Sequence, residues 1–146
     1  MPRIDRRAEV VWEGNVARGC GLLSGGSGAF AELPLTLASR IGEPEGHTSP
    51  EELIAAAHAG CYAMSLTNEL AKLGRTPERV EVDATCVMDE VGDRHVVVAS
   101  ELEVRARVPE LDDETFLAAV SEADAGCPIS ALIRASAEVR IDAALV

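Results

Sequence analysis

Between Val80 and Val108, apolar residues recur at nearly every second position. Val80, Val82, Ala84, Cys86 and Met88 alternate with mostly polar neighbours. Beyond a turn in "EVGDR", the run "HVVVASELEVRARV" puts Val96, Val98, Leu102, Val104, Ala106 and Val108 on one face. A period of two marks half-buried strands, so this segment predicts two long strands joined as a β-hairpin. Shorter strands joined by glycine turns are expected over 8–39, in "AEVVWEG", "GCGLL" and "SGGSGAFAEL", and "RIGEPEGH" (40–47) follows as a polar loop. The closing "AEVRIDAALV" begins as another alternating strand.

Two helices interrupt these strands. Ser49 suits an N-cap, Pro50 the first helical position, and Glu52, three residues after Ser49, completes a capping box. Gly74 is placed just past the end of this helix, which would span roughly 36 Å at 1.5 Å per residue. The second helix starts near Asp112, with Leu111 and Phe116 flanking the cap as a hydrophobic staple. It stops at "AGCP", where Gly126 is expected in a left-handed cap and Pro128 opens a short further helix, "PISALIRA". Runs of strands around two main helices define an α+β class, and nothing divides residues 1–146 into more than one domain.

Composition narrows the function. The chain has 146 residues, a net charge of −12 and a hydrophobic fraction of 47%, which suits one domain with its own core. Clustered cations for phosphate are lacking, so nucleic acid and anionic membrane surfaces are not expected partners. No apolar run approaches the roughly 18 residues of a membrane span, and "MPRIDRRAEVVWEG" lacks the apolar core of a signal peptide. A cytoplasmic protein is expected. Cys20, Cys61, Cys86 and Cys127 form no C-x-x-C, and His47, His58 and His95 show no ligand spacing with them, so no metal site is predicted.

The cysteines carry the candidate chemistry. Cys86 lies on the apolar face of its strand and reads as a small hydrophobe, and Cys20, with no acid–base partner nearby in sequence, is also expected to be structural. Cys61 stands in "HTSPEELIAAAHAGCYAMSLTNELAKLG", among Ala55, Ala56, Ala57, Ala59 and Gly60. Small residues let another helix approach closely, so core packing and a reactive thiol both fit. His58, one turn earlier, either polarises that thiol or is hydrogen-bonded in the core. Cys127 directly precedes Pro128 at a predicted helix start, where free amides and the helix dipole favour a thiolate. Two cysteines on separate helix elements suggest a peroxidatic and resolving pair, although spacing alone does not bring them together. With Glu52 occupied in the capping box, Glu51 is left to orient an arginine. If Thr48 were the cap, Glu51 would close the box instead. Arg40 is the nearest upstream arginine, and its plainer reading is a solvated charge.

Taken together, "SPEELIAAAHAGC" (49–61), "AGCPIS" (125–130) and "VWEG" near the start, followed by "RG" at 18–19, resemble the OsmC family of thiol peroxidases, related to the organic hydroperoxide resistance proteins. The order and spacing of these motifs hold over nearly the full length. The resemblance implies an OsmC-like fold of antiparallel sheets packed around two main helices, in an intertwined homodimer with sites formed between the chains. It implies Cys61 as the reactive cysteine, Cys127 as the resolving cysteine, and Arg40 with Glu51 as the pair that positions and activates the thiol. Arg18 is a lesser rival to Arg40. The implied substrate is an organic hydroperoxide and the implied reductant a dithiol, with no metal, haem or flavin needed. A different class, a non-catalytic dimer holding a small apolar ligand or sensing redox state passively, is separated by the reactivity of Cys61. Ser49, Gly60 and Tyr62 stand where the family commonly has Asn, Ala and Phe, and none of these changes removes a reacting group.

Overall fold

A computed structural model describes all 146 residues. The chain divides into two compact units, Met1–Leu53 and Ile54–Val146.

The first unit holds a three-stranded antiparallel sheet, β1 (Ala8–Glu13), β2 (Cys20–Gly25) and β3 (Leu33–Leu35), in the order β1-β2-β3. Gly14, at φ +87°, turns the chain out of β1, and Trp12 fixes that turn by donating its ring N–H to Gly14 O at 2.9 Å. A short helix, α1 (Leu37–Ile41), follows β3. The sequence pattern had placed Arg40 in a loop, and it lies instead in the last turn of α1. Thr36 caps that helix, its hydroxyl accepting from Ser39 N at 3.1 Å, while Ser39 Oγ accepts from Thr36 N at 3.3 Å. This capping box stabilises five residues that carry no hydrophobic period.

The long helix α2 (Pro50–Lys72) begins as expected, with Ser49 Oγ accepting from Glu52 N at 3.1 Å. It ends in a Schellman motif. Gly74 N–H bonds Ala71 O at 2.9 Å, Arg75 N–H bonds Leu70 O at 2.9 Å, and Gly74 takes φ +68°, which a side chain would oppose.

In the second unit, β4 (Arg79–Val91) and β5 (Arg94–Arg107) form the long hairpin, turned at Gly92 (φ +67°). Their register shifts by one between Val87 and Met88, leaving Val98 without a direct partner and burying both Ala99 and Ser100. β6 (Glu138–Leu145) then pairs with β5 in parallel, giving the order β4-β5-β6. The expectation of antiparallel sheets is corrected here: this sheet is mixed. The crossover through α3 (Asp113–Gly126) and α4 (Pro128–Arg134) carries the chain back, as a parallel pairing requires.

Asp112 caps α3 as predicted, its carboxylate accepting from Thr115 N at 2.8 Å. Gly126 does not. It remains helical, and the break falls on Cys127, at φ −80° and ψ 113°. A residue before proline is driven out of the helical region by the proline ring, so Pro128 sets the turn without a left-handed glycine.

The core of this unit is built on the stripe Tyr62, Leu66 and Leu70 of α2, packed with Leu102, Val104 and Ala106 of β5 and with Phe116, Ala119 and Ala123 of α3. Positions four apart on α2 lie on one face, which explains why this helix, alanine-rich in its first half, has a single buried side.

Candidate active site

Cys127 is both the last residue of α3's cap and the N-cap of α4, and it is fully buried. Cys61, at mid-length on α2, is half-buried, and its sulfur lies 3.2 Å from that of Cys127. Residues 66 apart in sequence thus meet at van der Waals distance or less. Both thiols are free. Ser130 donates its backbone N–H to Cys127 Sγ at 3.5 Å, and the backbone N–H of Ile129 faces both sulfurs.

Two sulfurs this close cannot both be anions, so their ionisation is shared. In the neutral pair the geometry suits Cys127 as donor and Cys61 Sγ as acceptor; which sulfur ionises first is a separate matter. The surrounding donors decide. Burial opposes ionisation at Cys127, but the backbone N–H of Ser130, the Cys61 thiol, the Ser130 hydroxyl and the Ile129 N–H outweigh it and draw the Cys127 thiol below its ordinary range. At Cys61 burial dominates over the Ile129 N–H and pushes the thiol up. Within the isolated chain these donors favour the thiolate at Cys127 over that at Cys61.

Behind the sulfurs lies a polar cluster that sequence reading did not assemble. His58 is completely buried. Its Nδ1 is 2.7 Å from Ser100 Oγ on β5, and its Nε2 is 2.8 Å from Ser130 Oγ on α4. Burial lowers the imidazole's pKa, so it is neutral at ordinary pH. Tyr62, next to Cys61, donates to Val120 O at 3.0 Å and ties α2 to α3, and burial pushes its own pKa up. The signal for this cluster was present in outline: Ser100 is a polar residue in register with the apolar face of β5.

Arg40 and Glu51 meet in the first unit. Arg40 Nη2 donates to Glu51 Oε1 at 2.6 Å and Nε donates to Glu51 Oε2 at 3.1 Å, a two-pronged contact that fixes the guanidinium plane. The Arg40 hydrogen bond holds the Glu51 carboxyl below the usual carboxylate range. Arg40, Trp12, Val16, Leu35 and Pro50 border a cavity of about 130 Å³. Arg18, the rival, lies in a different cavity of the same unit with Cys20 and Leu22. Cys20 is exposed and not a core residue, while Cys86 is half-buried on the face predicted for it. No three of the His, Cys, Asp and Glu side chains converge as a metal site would require.

A sequence model of the OsmC-like proteins matches residues 42–142. The chain is 35% identical to "Peroxiredoxin OsmC" of Escherichia coli over 139 residues, 95% of each chain. It belongs to the OsmC family. Among solved structures, the organic hydroperoxide resistance protein OhrB of Bacillus subtilis superposes with a TM-score of 0.74 at 21% identity, covering 94% of this chain and 98% of OhrB. An OsmC-like protein of unknown function from Vibrio cholerae gives a TM-score of 0.78 at 14% identity, covering 97% of this chain and 100% of that one. At such identities these two structures speak to fold alone.

Proposed function

We propose that this chain is a thiol-dependent peroxidase that reduces organic hydroperoxides to alcohols. The observation carrying the reading is the 3.2 Å approach of Cys61 and Cys127 within an OsmC-family chain. Cys61, as thiolate, attacks the terminal peroxide oxygen; the O–O bond breaks, an alcohol leaves and Cys61 becomes a sulfenic acid. Cys127 then displaces hydroxide from that sulfur to form the disulfide, and an external dithiol reduces it by exchange. The electrons pass from sulfur to oxygen at each turnover, so the cycle balances with thiols alone.

Because burial pushes the Cys61 thiol up, the first step needs a cation. Arg40, oriented by Glu51, is assigned that role and the stabilisation of charge on the departing oxygen. The apolar cavity beside Arg40 suits the organic part of the substrate. We assign residues 1–146 to one OsmC-like domain that completes its site as a cytoplasmic homodimer. No single helix is long and apolar enough to cross a membrane.

The test is intact mass and peptide mapping after one equivalent of cumene hydroperoxide. A loss of about two daltons, mapped to a Cys61–Cys127 link, is the expected result. Cys61→Ser should abolish turnover and Cys127→Ser should permit about one oxidation per subunit; repeated turnover by Cys61→Ser would overturn the assignment. A second reading, a non-catalytic dimer binding a small apolar ligand, is favoured by the raised pKa of Cys61. It takes over if the mass stays unchanged and both thiols remain free.

A further inference from the structure

Cys127 is a buried sulfur that must act as an anion in the second step, and its neutral surroundings raise the question of what stabilises that charge. One donor is the Ser130 backbone N–H at 3.5 Å. The hydroxyl of the same residue is a second candidate donor to the sulfur, and it lies 2.8 Å from His58 Nε2. A serine has one hydroxyl proton and can give it to only one of them. If His58 carries its proton on Nδ1, Nε2 is an acceptor and takes the Ser130 proton away from sulfur. If the proton is on Nε2, His58 donates to Ser130 Oγ and frees the Ser130 O–H for Cys127. Ser100, 2.7 Å from Nδ1, serves either tautomer, because its hydroxyl both donates and accepts.

We propose that His58 and Ser130 form a neutral donor relay, Nε2–H of His58 to Oγ of Ser130 and O–H of Ser130 to Sγ of Cys127, that holds Cys127 as the attacking thiolate. This rests on the peroxidase reading above. Ser130 touches the reacting sulfur, while His58 is a positioning residue that acts through it. In the step served, the Cys127 thiolate attacks the Cys61 sulfenic sulfur, the S–S bond forms and the S–O bond breaks. Hydroxide departs and takes a solvent proton to become water. The relay needs no net charge on the imidazole, which suits its complete burial. Other groups facing the cluster are the Cys61 thiol of α2, the Tyr62 hydroxyl of α2, and the ion-paired Asp124 of α3 and Arg134 of α4, whose opposite effects on His58 counter each other. β5 contributes only the neutral Ser100.

The smallest perturbation is Ser130→Ala, which removes one oxygen and keeps the backbone donor. After a single equivalent of cumene hydroperoxide, wild-type protein should close to the disulfide and give little dimedone adduct. Ser130→Ala should form the Cys61 sulfenic acid no more slowly, because a donor that holds the anion on Cys127 is gone, and close it about tenfold more slowly, so the adduct accumulates. The midpoint of closure against pH should move up by about one unit, a change that loss of packing alone would not produce. Ser130→Thr should restore both, and His58→Leu should match Ser130→Ala without adding to it in the double variant. Unchanged closure and an unmoved profile in Ser130→Ala would overturn the relay.

A second readout does not depend on peroxide. In protein labelled with carbon-13 cysteine, the Cys127 Cβ resonance follows thiolate formation. Its midpoint should rise by about one pH unit in Ser130→Ala. If wild-type protein fails to oxidise, the peroxidase reading falls while this titration still decides whether the relay exists. No shift there sinks the relay by itself.

Discussion

Oxidation should stabilise the fold, and the size of the effect follows from where the two sulfurs sit. Linking Cys61 to Cys127 closes a loop of 66 residues in the unfolded chain. The chain-entropy relation gives about 4 kcal/mol for a loop of that length. The sulfurs lie 3.2 Å apart and must close to about 2.05 Å, so a little over 1 Å of movement is shared between α2 and the α3–α4 junction. Strain from that movement and loss of the S–H···S contact reduce the gain, leaving about 2–4 kcal/mol. For a chain of this size, that amounts to a rise on the order of 10 °C in melting temperature. The assay is urea unfolding of reduced and peroxide-treated protein at equal concentration, since association would otherwise shift both curves. Cys61→Ser should show no difference between the two treatments. An oxidised protein no more stable than the reduced one would refute the claim that the native fold already presents the sulfurs for bonding, and a link mapped between two chains would refute the pairing itself.

Tyr62→Phe should cost about 1–2 kcal/mol in urea unfolding, because Val120 O loses its partner at 3.0 Å inside the core; a cost near zero would mean water replaces the phenol. Glu51→Gln keeps the size of the side chain but removes the charge that clamps Arg40, and with Arg40 partly exposed the loss is about 1 kcal/mol, a several-fold fall in kcat/KM for cumene hydroperoxide with dithiothreitol. Arg40→Met should lose more than Glu51→Gln, and the reverse order would contradict the assigned roles. The His58 imidazole is lowered by burial, so the unfolded chain binds a proton that the folded chain refuses. Stability should therefore be complete above the unfolded pKa of about 6.5 and decline below it, down through the folded pKa, by at most about 1.4 kcal/mol per pH unit from this residue. Urea midpoints at pH 7.5 and 5.5 check this, with His58→Gln expected to flatten the difference.

Local order was readable from the chain and long-range pairing was not. The alternation over Val80–Met88, the Asp112 cap and the Gly74 terminus each depend on neighbours a few residues away, and each appears as the pattern indicates. β6 looked like any other alternating strand, because its parallel pairing with β5 is set by the crossover rather than by its own residues. The helix α1 falls across the end of the strand region expected over 8–39 and the start of the loop expected over 40–47, because five residues are too few for a hydrophobic period, although Thr36 and Ser39 stand at capping-box spacing. Gly126 was assigned the left-handed turn on glycine's general preference, while the restriction that Pro128 imposes on Cys127 was the stronger force. In the candidate site, cysteine chemistry could be suspected from residue type, but the meeting of Cys61 with Cys127 depends on how α2 packs against α3. The same holds for His58, whose two serine partners lie 42 and 72 residues away.

The distribution of one proton over the two sulfurs ties these observations to the proposed cycle. When the reduced pair gives up one proton, the chain's own donors favour the anion on Cys127, the wrong sulfur for the first step. At 3.2 Å the proton needs only to cross from one sulfur to the other to expose the Cys61 thiolate. A cation at Cys61 would favour that transfer, which gives Arg40 a use that a generally lowered pKa would not require. Once Cys61 attacks the hydroperoxide, the departing alkoxide needs a proton, and Cys127 now carries one. Giving it up returns Cys127 to the anion that Ser130 and Ile129 stabilise, at the moment when the sulfenic sulfur beside it becomes the electrophile. Donors that compete with the first step thus drive the second, and a site that lowered the pKa of Cys61 alone would leave the resolving thiol protonated when its turn came.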